Sequence, residues 1–536
     1  MSELLVRDVR LVPLDAGQPT HAGQPTHAGQ PTHAGAGVDE PTQPLDILIK
    51  DGQVAAVGTN LPDAGVPELA GEGRWVVPGL WDQHVHMVQW ALVRSRLDVS
   101  GTASVEDVVQ RVRHELEATA GTPATGGGLG APLIGWGHRT AGWDRQPTVA
   151  DLDAISPGRP VVLISGDGHH GWLNTPALQL LGCPPRQGVV AENEWFDAYD
   201  RLGDLPGAAE QAEAAVLEAI TAARAQGVVG IVDLEFSPAW DLWPARIAGR
   251  GPFRVRTGVY ASKLADITAR GWRTGDPLPG TDGWARMGAL KIISDGSLNT
   301  RTAWCCDPYA DSADLVASHG LPNFTQEKLT ELVATAHEHG LETALHAIGD
   351  RAVRQALDVF RATGATGSVE HAQLVAPRDL PHWSGLPVRA SIQPAHLIDD
   401  RSATETLWPD RTRNAFAYRP LLDAGIPLAL GSDAPVAPLD PWLAMAAAVW
   451  RGAAGDEAWH PELSLTPAEA LTGSVDGRRL TVGEPGDLVL LHNDPYAEGG
   501  APGSPPLPQR AAEQAQVLRD MTVGATVIGG HLVHGG

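Results

Sequence analysis

Between residues 76 and 472 the chain repeats one pattern, a short apolar run closed by a polar residue and followed by a stretch of helical periodicity. The apolar runs fall at 76–83, Val228–Asp233, Arg254–Tyr260, 289–294, 342–346, 368–371, 388–393 and 427–431, eight in all. Strands alternating with helices build a parallel sheet covered on its faces, and eight such units close into a (β/α)8 barrel. The intervening segments carry helix signals. Thr325 is placed to cap a helix whose Leu329, Leu332, Val333 and Ala336 share a face and which ends at Gly340. Asp350 is placed to cap another, carrying Val353, Ala356, Leu357 and Phe360. An α/β barrel keeps its chemistry at the carboxyl ends of its strands, so the closing polar residues are the ones to examine.

The first run ends in His84 and His86. Residues i and i+2 of a strand project from one face, so both imidazoles can reach a single metal ion. Lys291, His346, His371 and Asp433 close later runs. Taken alone, each histidine reads equally well as a hydrogen-bonded core residue. Agreement of the whole set at strand ends favours a metal centre. Imidazole and carboxylate suit Zn²⁺, Mn²⁺ or Fe²⁺, and no thiolate is offered that would select a softer ion. Lysine occurs only at positions 50, 263, 291 and 328, arginine serving elsewhere, so Lys291 inside an apolar run is not a casual surface charge. Burial lowers a lysine pKa, and the neutral amine can add CO₂ to form a carbamate that bridges two ions. The alternative is an unmodified ammonium beside a single ion.

The rest of the 536 residues is organised around this barrel, expected to span 76–475. Strand patterns at both ends of the chain, including Asp51-Gly52 as a hairpin turn, are expected to pair into one small β-sandwich from residues 1–75 and 476–536. Residues 97–226 exceed what a crossover helix needs, and are expected to form an inserted subdomain overhanging the pocket. Three tandem Gly-Gln-Pro-Thr-His-Ala copies at 17–34 read as a solvated loop rather than a metal tract. So does the Pro/Gly-rich stretch 498–508.

Acidic residues outnumber basic ones 64 to 39, a balance that repels nucleic acid and anionic membranes and points to a small-molecule substrate. The three cysteines, two of them adjacent, make no disulfide framework. With no basic leader ahead of an apolar core and no apolar run of spanning length, a cytoplasmic protein is expected; homo-oligomerisation is left open.

The motifs Pro78-Gly79-Leu80-Trp81-Asp82-Gln83-His84-Val85-His86, Lys291-Ile292-Ile293-Ser294-Asp295-Gly296-Ser297, His346-Ala347-Ile348-Gly349-Asp350-Arg351-Ala352, Glu370-His371-Ala372-Gln373, Ser391-Ile392-Gln393-Pro394-Ala395-His396 and Gly431-Ser432-Asp433-Ala434-Pro435-Val436 span nearly the whole chain. Together they resemble the amidohydrolase superfamily of metal-dependent hydrolases, and within it the branch that includes N-substituted formamide deformylase. The hexapeptide repeats, and Glu484-Pro485-Gly486-Asp487 in place of Gly-x-x-Ala-Asp, depart from that pattern without touching the expected ligands. The resemblance implies one or two divalent ions, zinc foremost. His84, His86 and Asp433 would hold the more buried ion, His346 and His371 a second, and a carboxylated Lys291 would bridge them. Asp82 would fix the tautomer of a ligand imidazole. His169 and Asn174, in the pattern Ser-x-Asp-x-His-x-x-x-x-Asn, are expected at the pocket wall, with a hydrogen-bonded loop as the alternative. Arg301 and His396 would be further substrate contacts.

The activity implied is hydrolysis of a non-peptide C–N bond, in an N-substituted amide or formamide, by water activated at the metal. Asp433 would act as general base and then general acid, with His396 next in line for that role. A lyase or isomerase on the same shell and a catalytically silent scaffold are the rival readings.

Overall fold

In the computed structural model, which describes residues 3–14, 44–63, 65–119, 131–140, 143–166, 170–199, 201–311, 318–496 and 508–535, eight parallel strands follow one another around a barrel. They are β1 (Leu80–Val85), β2 (Val228–Asp233), β3 (Arg254–Tyr260), β4 (Ala285–Ile293), β5 (Thr343–Ala347), β6 (Gly367–His371), β7 (Val388–Ile392) and β8 (Leu428–Leu430). Each is hydrogen-bonded to the next, β1 to β2 through to β7 and β8. Strands of a covered parallel sheet are buried on both faces, and all six residues of β1 and of β2 are buried.

The first apolar run is not one strand. It divides at Gly79: Trp75–Pro78 pairs antiparallel with Leu488–Leu491 in another sheet, and only Leu80–Val85 enters the barrel. A side chain at Gly79 would place its Cβ 2.5 Å from the methyl groups of Val229, so the crossing from one sheet to the other depends on the missing Cβ. At the other end β8 stops at Leu430, and the next residue, Gly431, lets the chain come close to β1: a Cβ there would stand 2.8 Å from the His84 nitrogen and 3.0 Å from Asp82 Oδ1.

No regular ladder joins β8 to β1. The seam is closed instead by Asp433 N–H to the His84 carbonyl (2.7 Å), His86 N–H to the Ala434 carbonyl (2.9 Å) and Ser432 N–H to the Asp82 carboxylate (2.9 Å). A side chain thus completes the backbone pairing.

The strands of the chain ends lie in one sheet in which Leu4–Leu11 changes partner along its length. Leu4 to Val9 pairs with Leu45–Lys50, whereas Arg10 and Leu11 pair with Trp75–Pro78. Such a strand turns the corner of a sandwich. Leu4, Val6, Ile47 and Ile49 from one side and Val76, Leu488, Leu490 and Val527 from the other share one core. The Asp51-Gly52 turn has the two positive φ values, 50° and 75°, that a tight hairpin requires.

Residues 88–219 form a second compact unit with a five-stranded sheet of its own, Leu97–Asp98, Leu133–His138, Val161–Ser165, His170–Leu173 and Val190–Ala191. The hexapeptide repeats and nearly all of 498–508 lie outside the described residues. Among the described residues no helix is long and apolar enough to cross a membrane.

The two expected caps part ways. Thr325 Oγ1 accepts the Lys328 N–H as a cap should. Asp350, however, is the first residue of its helix, which Gly349 caps, and its carboxylate accepts the Cys306 N–H at 2.8 Å instead. Gly79→Ala is expected to cost about 1–3 kcal/mol by overpacking against Val229. Adding Val229→Ala should restore part of the loss, and thermal denaturation of the single and double variants measures both.

Candidate metal centre

Strand geometry and two backbone distortions bring the polar residues together. His84 and His86 extend from the end of β1 on the same side, their ring centroids 5.6 Å apart. His371 ends β6 with φ +70° and Asp433 follows β8 with φ +56°, left-handed conformations that non-glycine residues seldom adopt and that cluster at functional sites. Neighbouring residues of a regular strand point to opposite faces. The distortion at His371 lets both it and Glu370 meet His84: the two imidazole centroids stand 5.0 Å apart, and Glu370 Oε2 lies 2.8 Å from His84 Nδ1.

That hydrogen bond sets the tautomer. His84 donates from Nδ1 to Glu370, so its Nε2 is an unprotonated acceptor. Burial raises the Glu370 pKa, but the hydrogen bonds from His84 and Ser368 and the charge of Lys291 outweigh it and hold the carboxyl at about 2. His84 Nε2 faces Asp433 Oδ1 at 3.4 Å, and His86 Nε2 faces the same oxygen at 3.4 Å. Charge-assisted hydrogen bonds are shorter, about 2.7–2.9 Å. Ligand atoms sharing one tetrahedral ion through bonds of about 2.1 Å stand about 3.4 Å apart, so the spacing fits a metal.

A second group forms at the same carboxylate. His371, His396 and Asp433 bring their ligand atoms within 4.8 Å of one another, and His396 Nε2 lies 3.9 Å from Asp433 Oδ2. His396, expected as a substrate contact, therefore stands in a potential ligand group. His346 joins neither group. Its ring lies 4.5 Å from that of His371, and its Nε2 is 3.4 Å from the Gly296 carbonyl and 3.5 Å from Asp295 Oδ1.

Protonation states suit cation binding, which needs neutral imidazoles and ionised carboxylates. Burial, reinforced by the Lys291 charge, lowers the pKa of His84 and takes His346 to about 3; burial and the charge of His346 push His371 well below the usual histidine range. For Asp433 burial acts upward, but His84, His86, His371 and His396 together hold it well below an ordinary carboxyl. Lys291, 2% exposed on β4, has its Nζ 3.5 Å from His84 Nε2; burial lowers its pKa against the opposing pull of Glu370 and Asp433.

Several expectations change. Asp82 does not touch an imidazole: its Oδ1 accepts the backbone N–H groups of His84 (3.1 Å) and Ser432 (2.9 Å), and Glu370 takes the tautomer-fixing role. Asn174 is buried, and its amide is fully used by the backbone, accepting from Val161 and Ala177 and donating to the Ser156 and Arg159 carbonyls. It holds a loop and a helix start, leaving no polar atom for a substrate. Arg301 is exposed and engaged by Asp311 at 2.5 Å, and His169 lies outside the described residues.

Glu370 and Asp295 were missed as functional residues although both stand in the quoted motifs. The available signal was a carboxylate next to a ligand in an apolar run. Asp295 accepts the N–H groups of Trp304, Ile348 and Gly349, tying the loops after β4 and β5 together behind His346. Its pKa is pushed up to about 7 by burial, against those three hydrogen bonds.

Imidazoles and a carboxylate converge at the carboxyl ends of an eight-stranded α/β barrel, a donor set suited to a divalent metal ion. The chain belongs to the amidohydrolase family, whose pattern matches residues 70–534. It is similar to Protein LONG AFTER FAR-RED 3 of Arabidopsis thaliana, 27% identical over 84% of each chain. It is also similar to N-substituted formamide deformylase of Arthrobacter pascens, 25% identical over 84% of this chain and 90% of that one. Among solved structures, an uncharacterised metal-dependent hydrolase of Pyrococcus horikoshii shares the fold with a TM-score of 0.75 at 23% identity, covering 92% of this chain and 98% of that one.

Glu370→Gln removes the charged acceptor of His84 while keeping its size. It is expected to lower metal affinity about 10–100-fold, the usual effect of losing such a partner, as measured by competition with a chelator.

Proposed function

We propose that the protein hydrolyses a non-peptide C–N bond in an N-substituted amide or formamide of small size. The observation that carries this reading is the double orientation of Asp433, one oxygen toward His84 and His86 and the other toward His396. The relative named N-substituted formamide deformylase supports the bond class. One or two divalent ions, zinc foremost, would be held by His84, His86 and Asp433 and by His346 and His371. An ion there would supply an acidified water and a Lewis-acid contact to the carbonyl.

The chain's own groups do the rest. Asp433, ionised, takes a proton from the attacking water as its oxygen bonds to the carbonyl carbon. It returns that proton to the nitrogen as the C–N bond breaks, so water and amide become a carboxylic acid and an amine. His396, whose Nε2 lies 3.2 Å from the Ser432 carbonyl, would hydrogen-bond the carbonyl oxygen of the substrate as charge gathers on it. Glu370 keeps His84 in the required tautomer. Lys291, buried with a lowered pKa, is suited to carry CO₂ as a carbamate; as an unmodified ammonium it would pair with Asp433 and Glu370. We place the reaction in the cytoplasm.

A lyase or isomerase would use the same shell, and hydrolysis in ¹⁸O-labelled water separates them: the label must enter the acid product. Asp433→Asn keeps the shape but cannot take up the proton. It should retain much of its metal and lose about 10²-fold or more in kcat with a smaller change in KM. Near wild-type turnover with metal in place would reassign the proton transfer to His396. Lys291→Ala should be inactive and regain activity with short carboxylic acids if the carbamate is present. An active Lys291→Ala enzyme, or no rescue together with full metal content, decides for the ammonium.

A further inference from the structure

Three segments meet at Asp400. It lies one turn into the helix His396–Leu407 that follows β7, and its carboxylate is shared between two neighbours: Oδ1 accepts the Asn299 Nδ2–H at 2.8 Å and Oδ2 the Gln373 Nε2–H at 3.0 Å. Asn299 belongs to the loop after β4 and Gln373 to the loop after β6, two residues beyond His371. Both donors are neutral amides, so charge pairing does not account for the arrangement. One carboxylate with an oxygen for each of two loops fixes a geometry.

The two donors arrive already held. Asn299 sits on a turn closed by Gly296 N–H to the Thr302 carbonyl (3.2 Å) and Thr302 N–H to the Ser297 carbonyl (3.1 Å). Gln373 is 3% exposed, and its carbonyl accepts the Phe416 N–H at 2.7 Å. The helix that carries Asp400 has less apolar anchorage: of its twelve residues only Leu397, Thr404 and Leu407 are buried. Its first residue is His396, whose ring lies 6.2 Å from that of His371 with the planes 21° from parallel, and whose Nε2 is 3.9 Å from Asp433 Oδ2. Residues four apart share a helix face and are joined by a hydrogen-bonded turn, so a shift of Asp400 carries His396 with it.

We propose that Asp400 is a positioning residue: by binding the loops after β4 and β6 it holds the first turn of its helix, and so His396, in place against His371 and Asp433. The inference rests on the amide-hydrolysis reading, in which His396 meets the substrate carbonyl oxygen. A misplaced donor of that kind slows turnover more than it weakens substrate binding, because its hydrogen bond strengthens only as charge develops.

The test uses the metal-loaded full chain with N-butylformamide as substrate. Asp400→Leu keeps the bulk and removes both acceptors, and is expected to lower kcat about 10-fold with KM within about 2-fold and metal content unchanged. Asp400→Asn should recover most of the loss, since its Oδ1 accepts from Asn299 and its amide donates to Gln373 once that side chain turns over. In a His396→Ala background Asp400→Leu should cost less than about 2-fold, the non-additivity of two residues that act as a unit. A purely structural residue would cost the same in both backgrounds; that result overturns the proposal, as does near wild-type kcat in Asp400→Leu. The imidazole itself is followed by NMR of ¹³C-labelled histidine, the His396 signal being the one lost in His396→Ala. Asp400→Leu should displace it and Asp400→Asn should not. Should Asp400→Leu fail to fold, Asn299→Ala, at an exposed position, removes one of the two bonds and is expected to move the signal in the same direction; an unmoved signal overturns the proposal. If wild type hydrolyses no N-substituted amide or formamide, it is the amide reading that has failed. The positioning role is then judged by the NMR signal alone: displacement in Asp400→Leu with retention in Asp400→Asn upholds it, and an unmoved signal in Asp400→Leu overturns it.

Discussion

The hydrogen bond from Asp433 N–H to the His84 carbonyl, 2.7 Å, is the contact on which the rest of the centre depends. It closes the barrel at the seam between its first and last strands, and it fixes Asp433 against both histidines of β1. The pairing across this seam is irregular, with Gly431 passing close to His84 and Asp82, and Asp82 supplies an acceptor from its side chain. A continuous ladder would have kept Asp433 in a strand with no reason to turn back. The left-handed backbone at Asp433 and His371 is held in place by such neighbouring contacts, which is how a fold sustains conformations that cost about 1–3 kcal/mol each.

Electrostatics follow from burial. Several ionisable groups share one water-poor end of the barrel, and none could be charged there without a partner. Glu370 and Asp433 stay ionised because imidazoles and Lys291 face them, while His84, His346 and His371 stay neutral because burial outweighs the carboxylates. The outcome is a set of lone pairs already deprotonated, so that a cation need displace few protons to bind. Outside this set the polar groups serve the frame. Asp295 holds the loops after β4 and β5, and Asp233 binds the indole N–H of Trp243 at 2.7 Å and the Glu235 N–H.

The eight strands were legible because each reads as an apolar run of the right length. The polar residues that gather at the barrel's carboxyl end were legible because most of them close such a run. Thr325 capped as its local sequence implies. Asp350 did not, since its carboxylate found the Cys306 N–H from a distant segment, a competitor that local sequence does not display. Asn174 failed as a substrate contact for the same kind of reason: a buried amide must satisfy every donor and acceptor, and the backbone around it did so.

What the sequence determined by itself was the alternation that makes a barrel, the pairing of His84 with His86, and the membership of the polar set, all consequences of residue type and spacing. Only the tertiary structure decided which partner each polar atom receives. It split the first run at Gly79, gave the imidazole of His84 to Glu370 rather than Asp82, and turned His396 rather than His346 toward Asp433. These are distances between residues on different strands, well separated along the chain. They are set by how strands close and where a Cβ fits, and no spacing along the chain encodes them.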